Sequence, residues 1–343
     1  MTKPLIDFDL IRSKISIRDE NLFDNKPRGE YHKIASLISP YCISYTDDAV
    51  KRQYVQLFNH ICGTLQYFFK VKVITPLKFL EISSKNITTN HELLIKVPDA
   101  YKINHLNFSP RSYLFYEKEG KRKGVSCSYS NSFINKDYIF DFRQLFKNLD
   151  SIIFFNNLPQ DVSLNEICIT KHYAIIPKSL EKNKPNIKKE LEKFLNLKII
   201  TFRSPDDSTD ITRYFRSIDS APSLNISENF KSSNNSRLIY AETKIPSIDE
   251  KINLVLKEID NIKDTTTIKF QNPINNHKTN YLDFAMLDGT FLFPLYDDIS
   301  DSNRYELSEH FPRNYFLTIM HKDLRLVNKF GINFANSIMI SSI

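Results

Sequence analysis

The chain has 343 residues, 41% of them hydrophobic and 25% charged, with a formal net charge of +7. That length and apolar content exclude an intrinsically disordered chain and allow one large domain or two ordinary ones. It has only six glycines, where average usage gives about 24. Neither GxGxxG nor a GxxxxGK stretch followed by Ser or Thr occurs, so dinucleotide and P-loop sites have no support.

In chain order, residues 1–45 are charged and irregular. They are expected to form a peripheral N-terminal segment holding one early strand or helix. Val50, Tyr54, Leu57, Phe58, Ile61, Leu65 and Phe68 then recur every three to four residues. That spacing puts them on one side of a helix. A strand follows at 71–74. The basic run KEGKRK at 118–123 reads as a solvated loop rather than a nucleic-acid footprint. A short helix over 142–149 leads to a strand at 152–155.

The pattern sharpens further along. Residues 173–176 read as a strand and 185–195 as a helix, with Ile187, Leu191, Phe194 and Leu195 as its apolar face. LKIITF at 197–202 reads as the next strand. The Ser- and Asn-rich stretch 219–236 is expected to be a long surface loop. After a strand at 238–240, Ser247 with Glu250 three residues on predicts a capping box. The helix it opens carries Ile252, Val255, Leu256, Ile259 and Ile262 on one face. Strands at 266–270 and 290–294, a helix at 301–311 capped by Ser300 or Asp301, and a strand at 315–319 complete the order. Each helix has one apolar stripe and needs a sheet to bury it against. The repeated strand–helix–strand order fits one α/β unit over 1–343, either a large open sheet or a closed ring of small modules.

Several side chains are candidates for chemistry. The four cysteines, Cys42, Cys62, Cys127 and Cys168, form no CxxC pair. They are read as reduced, buried thiols of an intracellular protein, with a cytoplasmic location expected. Cys168 and His172 are the nearest Cys/His pair in sequence. Their even spacing would put them on one face of an extended strand, but about 13 Å apart. Asp206, Asp207 and Asp210 read either as a carboxylate cluster able to hold a cation, or as a polar turn. Arg213 and Arg216 would pair with those acids or bind a phosphate. Asp297 and Asp298 are expected to cap the following helix rather than catalyse. No histidine has metal-ligand spacing, no apolar run reaches membrane-spanning length, and no metal or cofactor is expected.

Three segments, in order, resemble the guanidino-group-modifying (pentein) superfamily of agmatine and arginine deiminases and amidinotransferases. The first is VSLNEICITKHYAIIP at 162–177 with its helix and LKIITF. The second is PDDSTDITRYF at 205–215. It is similar to the family stretch leading to Gly-His-x-Asp. The third, NYLDFAMLDGTFLFPLYDD at 280–298, resembles the family's Tyr-x-Asn-Phe and Asn-Gly stretch, and RLVNKFGIN at 325–333 parallels the segment ending in Gly-Gly-x-x-His-Cys.

The resemblance implies a five-bladed α/β propeller of ββαβ modules, with an open mixed α/β sheet as the alternative. It places Asp210 at the guanidinium-binding Asp and Ser208 at the catalytic His. Asn333 and Phe334 fall at the His and nucleophilic Cys. Guanidine hydrolysis needs a thiolate to attack the cationic carbon and an imidazole to carry protons. A phenylalanine does none of the thiolate's work. The expected function is therefore a catalytically degenerate deiminase-like protein that binds a protein partner or assembles with itself. The alternatives are a divergent guanidine or amidine hydrolase or amidinotransferase acting through Cys168 or a differently placed acid, and an anion or nucleic-acid binder. A small guanidino compound remains a candidate ligand, and no nucleic acid or membrane is expected as a partner.

Overall fold

The computed structural model describes residues 34–37, 60, 72–74, 113–118, 121–126, 154–159, 162–205, 210–221, 235–262, 264–274, 279–287, 290–312, 314–321, 324 and 338–341. The helices expected over 50–68 and 142–149 lie outside these residues, His60 excepted. So do most of 1–45 and of the 219–236 stretch.

The strands are β1 (Ile34–Leu37), β2 (Lys72–Ile74), β3 (Tyr113–Lys118), β4 (Lys121–Ser126), β5 (Phe154–Asn157), β6 (Cys168–Ile169), β7 (Tyr173–Pro177) and β8 (Lys198–Phe202). They continue with β9 (Phe215–Ser217), β10 (Ser220–Ala221), β11 (Ser236–Glu242), β12 (Thr265–Gln271), β13 (Ala285–Leu287), β14 (Thr290–Pro294), β15 (Tyr315–Ile319) and β16 (Ile338–Ser341). Four α-helices stand among the described residues: α1 (Lys178–Asn183), α2 (Ile187–Leu195), α3 (Pro246–Asp260) and α4 (Asp298–His310).

The closed five-bladed propeller is corrected by the strand pairing. The strands form five separate sheets of three or four strands, ordered β16-β1-β2, β10-β3-β4-β5, β6-β7-β8, β12-β11-β9 and β13-β14-β15. Among the described residues each sheet is open, and none closes on itself. The architecture is mixed α/β with open sheets, nearer to the alternative reading. Each sheet contains one parallel pairing, joined by one antiparallel pairing in the three-stranded sheets and by two in β10-β3-β4-β5. The parallel pair needs a crossover, which α1 and α2, α3, and α4 supply in three of the sheets.

The outer edge of β12 shows what stops a sheet from growing. Asn303 on α4 is buried. Its amide donates to the Gln271 carbonyl at 2.9 Å and its oxygen accepts the Gln271 N–H at 2.9 Å. A side chain thus completes the edge where a further strand would pair. Replacing Asn303 with Ala removes both bonds and leaves a strand edge unmatched, so urea unfolding should show a loss of about 1–3 kcal/mol.

The core follows the strand alternation. In β7, Tyr173 and Ile175 face one apolar cluster while Ala174 and Ile176 face another. Burial on both faces explains why this strand reads as a continuous apolar run. Ile187, Leu191 and Leu195 of α2 join the second cluster. The predicted face of α3 buries Ile252, Val255 and Ile259, with Leu256 and Ile262 partly buried against it. This helix packs on both β8 and β11, and α4 packs on both β12 and β14. The helices therefore join sheets that no strand pairing joins.

Three local expectations are revised. Ser247 is not the cap of α3: the N-cap is Ile245, with Pro246 in the first helical turn. Proline suits that turn because its missing N–H is not needed there. Asp249 instead accepts both the N–H and the hydroxyl of Thr243 at 2.8 Å. The last helix begins at Asp298 with Asp297 as its cap, not Ser300 or Asp301. The basic run is not a loop throughout, because Lys118 pairs with Lys121 across a hairpin. Lys118 is buried, and its ammonium donates to the carbonyl of Asn196. Asn196 is the C-cap of α2 in the left-handed region, at φ 52°. In a glycine-poor chain, Asn takes the position that glycine commonly fills.

Candidate functional site

The segments at 162–177, 205–215 and 280–298 that carry the resemblance meet in space. The loop at 210–214 precedes β9. In it, the Asp210 carboxylate accepts the Thr212 N–H at 2.9 Å and the Thr212 hydroxyl at 2.6 Å. The Ile211 N–H donates to the carbonyl of Asn165, next to the one-turn 3-10 helix at Leu164–Glu166. Asn272, buried just beyond β12, donates from its amide to the Arg213 carbonyl at 2.6 Å. Its oxygen accepts the Tyr281 N–H at 3.1 Å. Asn280 reaches the Thr212 carbonyl at 3.4 Å. Buried backbone amides need such partners, and two asparagines supply them across the two loops. The Tyr281 hydroxyl donates to Asp297 at 2.6 Å, while the other oxygen of Asp297 accepts the Ile299 N–H at 3.1 Å. Asp297 thus caps α4 and anchors the loop.

Below this seam lies a buried charge cluster. Arg216 sits in β9, opposite Ile239 of β11. Its Nη1 is 3.8 Å from Oδ1 of Asp283, whose side chain is only 1% exposed. Its Cζ stands 4.4 Å over the ring of Phe284. Burial pushes the guanidinium down to about 10, against the opposing pull of Asp283. Cys168, in β6, belongs to the same region. Burial pushes its thiol up to about 12, partly opposed by Arg216 and by the Ser217 backbone, with Asp219 adding to the rise. The groups acting on this thiol are Arg216, Asp219 and Ser217. His172 lies exposed in the β6–β7 turn, where its backbone N–H donates to Thr170 Oγ1 at 3.3 Å. The structure therefore places Cys168 in the buried strand and His172 on the exposed turn.

Asp210 and Arg213 are brought to the seam between the two loops, through the Asp210 carboxylate and the Arg213 carbonyl. Asp206, Asp207, Ser208, Asn333 and Phe334 lie outside the described residues. Among the described residues, no group of three His, Cys, Asp or Glu side chains could hold a metal ion. No helix among them is long and apolar enough to cross a membrane.

Sequence reasoning passed over Asp219 and Asp283 and expected Arg216 to pair with Asp206, Asp207 or Asp210 or to bind a phosphate. A signal was present for two of them. Arg216 in YFRS and Asp283 in YLDF are single charges inside apolar runs, and a buried charge demands a partner. Asp219 was assigned to the surface loop, yet it is buried. Its Oδ2 accepts the N–H groups of Lys171 at 3.1 Å and Arg237 at 3.3 Å, joining the β6–β7 turn to β11.

Burial raises the Asp219 carboxyl above its ordinary 3.8, outweighing those hydrogen bonds and the nearby Lys171 charge. The folded chain then holds a proton that the unfolded chain has already released. The stability tied to Asp219 falls as pH rises from about 4 through the folded-state value. Asp219→Asn should flatten that fall. Urea midpoints for the two proteins from about pH 4 to pH 8 measure it. A steeper fall in the variant would refute the assignment.

No protein-family model matches the chain, and no curated protein does either. Solved structures do. An agmatine deiminase of C. jejuni superposes with a TM-score of 0.53 at 13% identity, covering 92% of this chain and 95% of that one. An agmatine deiminase of Enterococcus faecalis gives 0.53 at 11% identity, with 92% and 94% covered. The chain shares the fold of guanidino-modifying deiminases. At these identities the likeness concerns fold alone, and a closed propeller does not come with it.

Proposed function

We propose that the chain is a catalytically degenerate member of the deiminase fold, acting as a binding or assembly partner rather than as a guanidine hydrolase. The observation that carries this reading is Cys168. Its thiol is buried in the apolar core and pushed up to about 12. Such a sulfur is neither ionised nor able to reach a substrate carbon. The sequence supports the same reading at the positions matched to the family. Ser208, Asn333 and Phe334 stand where a base, a histidine and a nucleophilic cysteine would be needed. Asp210, matched to the guanidinium-binding acid, bonds Thr212 of its own loop.

A hydrolase or amidinotransferase acting through Cys168 would require this sulfur to be open and ionised. An anion or nucleic-acid binder would draw on the basic run, where Lys118 is turned inward to Asn196. The decisive measurement is ammonia release from agmatine, free arginine and a peptidyl arginine. The expected result is none above the protein-free blank. Turnover that Cys168→Ala abolishes would overturn the reading. Light scattering on the eluting protein would separate self-assembly from a need for another chain.

A further inference from the structure

The pair Asp283 and Phe284 presents two features that recognise a planar cation. An aromatic face covers the plane of the cation, and a carboxylate lies within ion-pairing reach of it. Arg216 occupies this cradle from a neighbouring strand, 4.4 Å over the ring and 3.8 Å from the carboxylate. That second distance is an ion pair without a hydrogen bond, so Arg216 does not engage Asp283 through the bidentate fork that arginine commonly makes.

Local structure explains how the arginine is delivered. Phe215 and Ser217, on either side of Arg216 in β9, are buried, and strand alternation sends Arg216 to the opposite face. The cradle residues lie in the turn leading into β13, which Asn272 and Asn280 hold by its backbone. Their position therefore does not depend on Arg216 alone.

We infer that Asp283 and Phe284 form a planar-cation site that the chain fills from within, with the Arg216 guanidinium as resident ligand. This deepens the non-catalytic reading and rests on it. Tethering gives the internal guanidinium an effective concentration that a free cation does not match. The wild-type site is therefore closed to guanidino compounds, while removing the Arg216 side chain opens it to them. The class of ligand is a small guanidinium or amidinium ion. A compact ammonium lacks the plane that stacks on Phe284.

The test is rescue of Arg216→Ala by methylguanidinium at about 10 mM, too dilute to denature. Thermal midpoints are compared for wild type, Arg216→Ala, and Arg216→Ala combined with Asp283→Asn, with ammonium chloride as the salt control. Methylguanidinium should raise the Arg216→Ala midpoint by about 2 °C or more and leave the other two unchanged. An equal shift in wild type, an equal shift with ammonium, or no shift at all would overturn the proposal. Should Arg216→Ala not fold alone, the readout becomes soluble recovery on refolding with and without methylguanidinium. Greater recovery with it, lost in the double variant, supports the site. Equal recovery, zero included, overturns it. Ammonia release tests the non-catalytic reading separately, so the two can fail independently.

Discussion

Iodoacetamide should alkylate Cys168 at least about a thousandfold more slowly in the folded chain than in urea, near pH 8. The thiolate is the reacting species, and its abundance sets the rate. Burial carries the Cys168 thiol from an ordinary 9.0 to about 12. Across that interval the thiolate fraction at a fixed lower pH drops about a thousandfold. Steric closure slows the folded chain further, because Cys168 is packed with Tyr173, Ile175 and Phe215 in one apolar cluster. The chain has three other cysteines, so labelling must be read on the peptide that contains Cys168. A ratio below about ten would mean a reachable, ionised sulfur, and the hydrolase alternative would return.

Phe284→Ala should destabilise the chain by about 3–5 kcal/mol, the range for removing a buried aromatic side chain. Phe284 is fully buried. It stacks on Phe293 at 4.9 Å and contacts Phe291 at 5.7 Å and Phe270 at 6.0 Å. These ring partners come from β12 and β14, so the cavity would open between two sheets that no strand pairing joins. The same ring also covers the Arg216 guanidinium. Phe284→Leu keeps most of the volume and loses the aromatic face, so it should cost less than the alanine variant. Urea unfolding measures both. A loss under about 1 kcal/mol for Phe284→Ala would show that the neighbouring rings close the gap and that the cluster does not join the sheets.

The elements most legible in the sequence were those defined by local periodicity. The apolar spacing of Ile187, Leu191 and Leu195 marks α2, and those three are its buried residues. The runs at 173–177 and 198–202 are strands because β-branched residues and a rigid period of two act within a few positions. Signals failed where two local rules competed. Ser247 and Glu250 have capping-box spacing, but with Pro246 in the first turn α3 starts two positions earlier, and Thr243 with Asp249 supplies the bonds. The charge of KEGKRK hid a hairpin whose first lysine finds a carbonyl 78 positions away.

The site was legible only in part. Asp210 was readable as a residue of a polar turn, because its partner Thr212 is two positions away. Arg216, Asp219 and Asp283 were not readable in their roles, because each is defined by groups on other elements. The amino-acid order by itself determined which stretches become helix or strand, and which residue types stand at the positions matched to a nucleophile and a base. Tertiary structure alone decided that the described sheets stay open. It also decided that an arginine meets Asp283 and Phe284. Edge closure, burial and charge pairing depend on free energies between residues far apart in the chain, which no local pattern records.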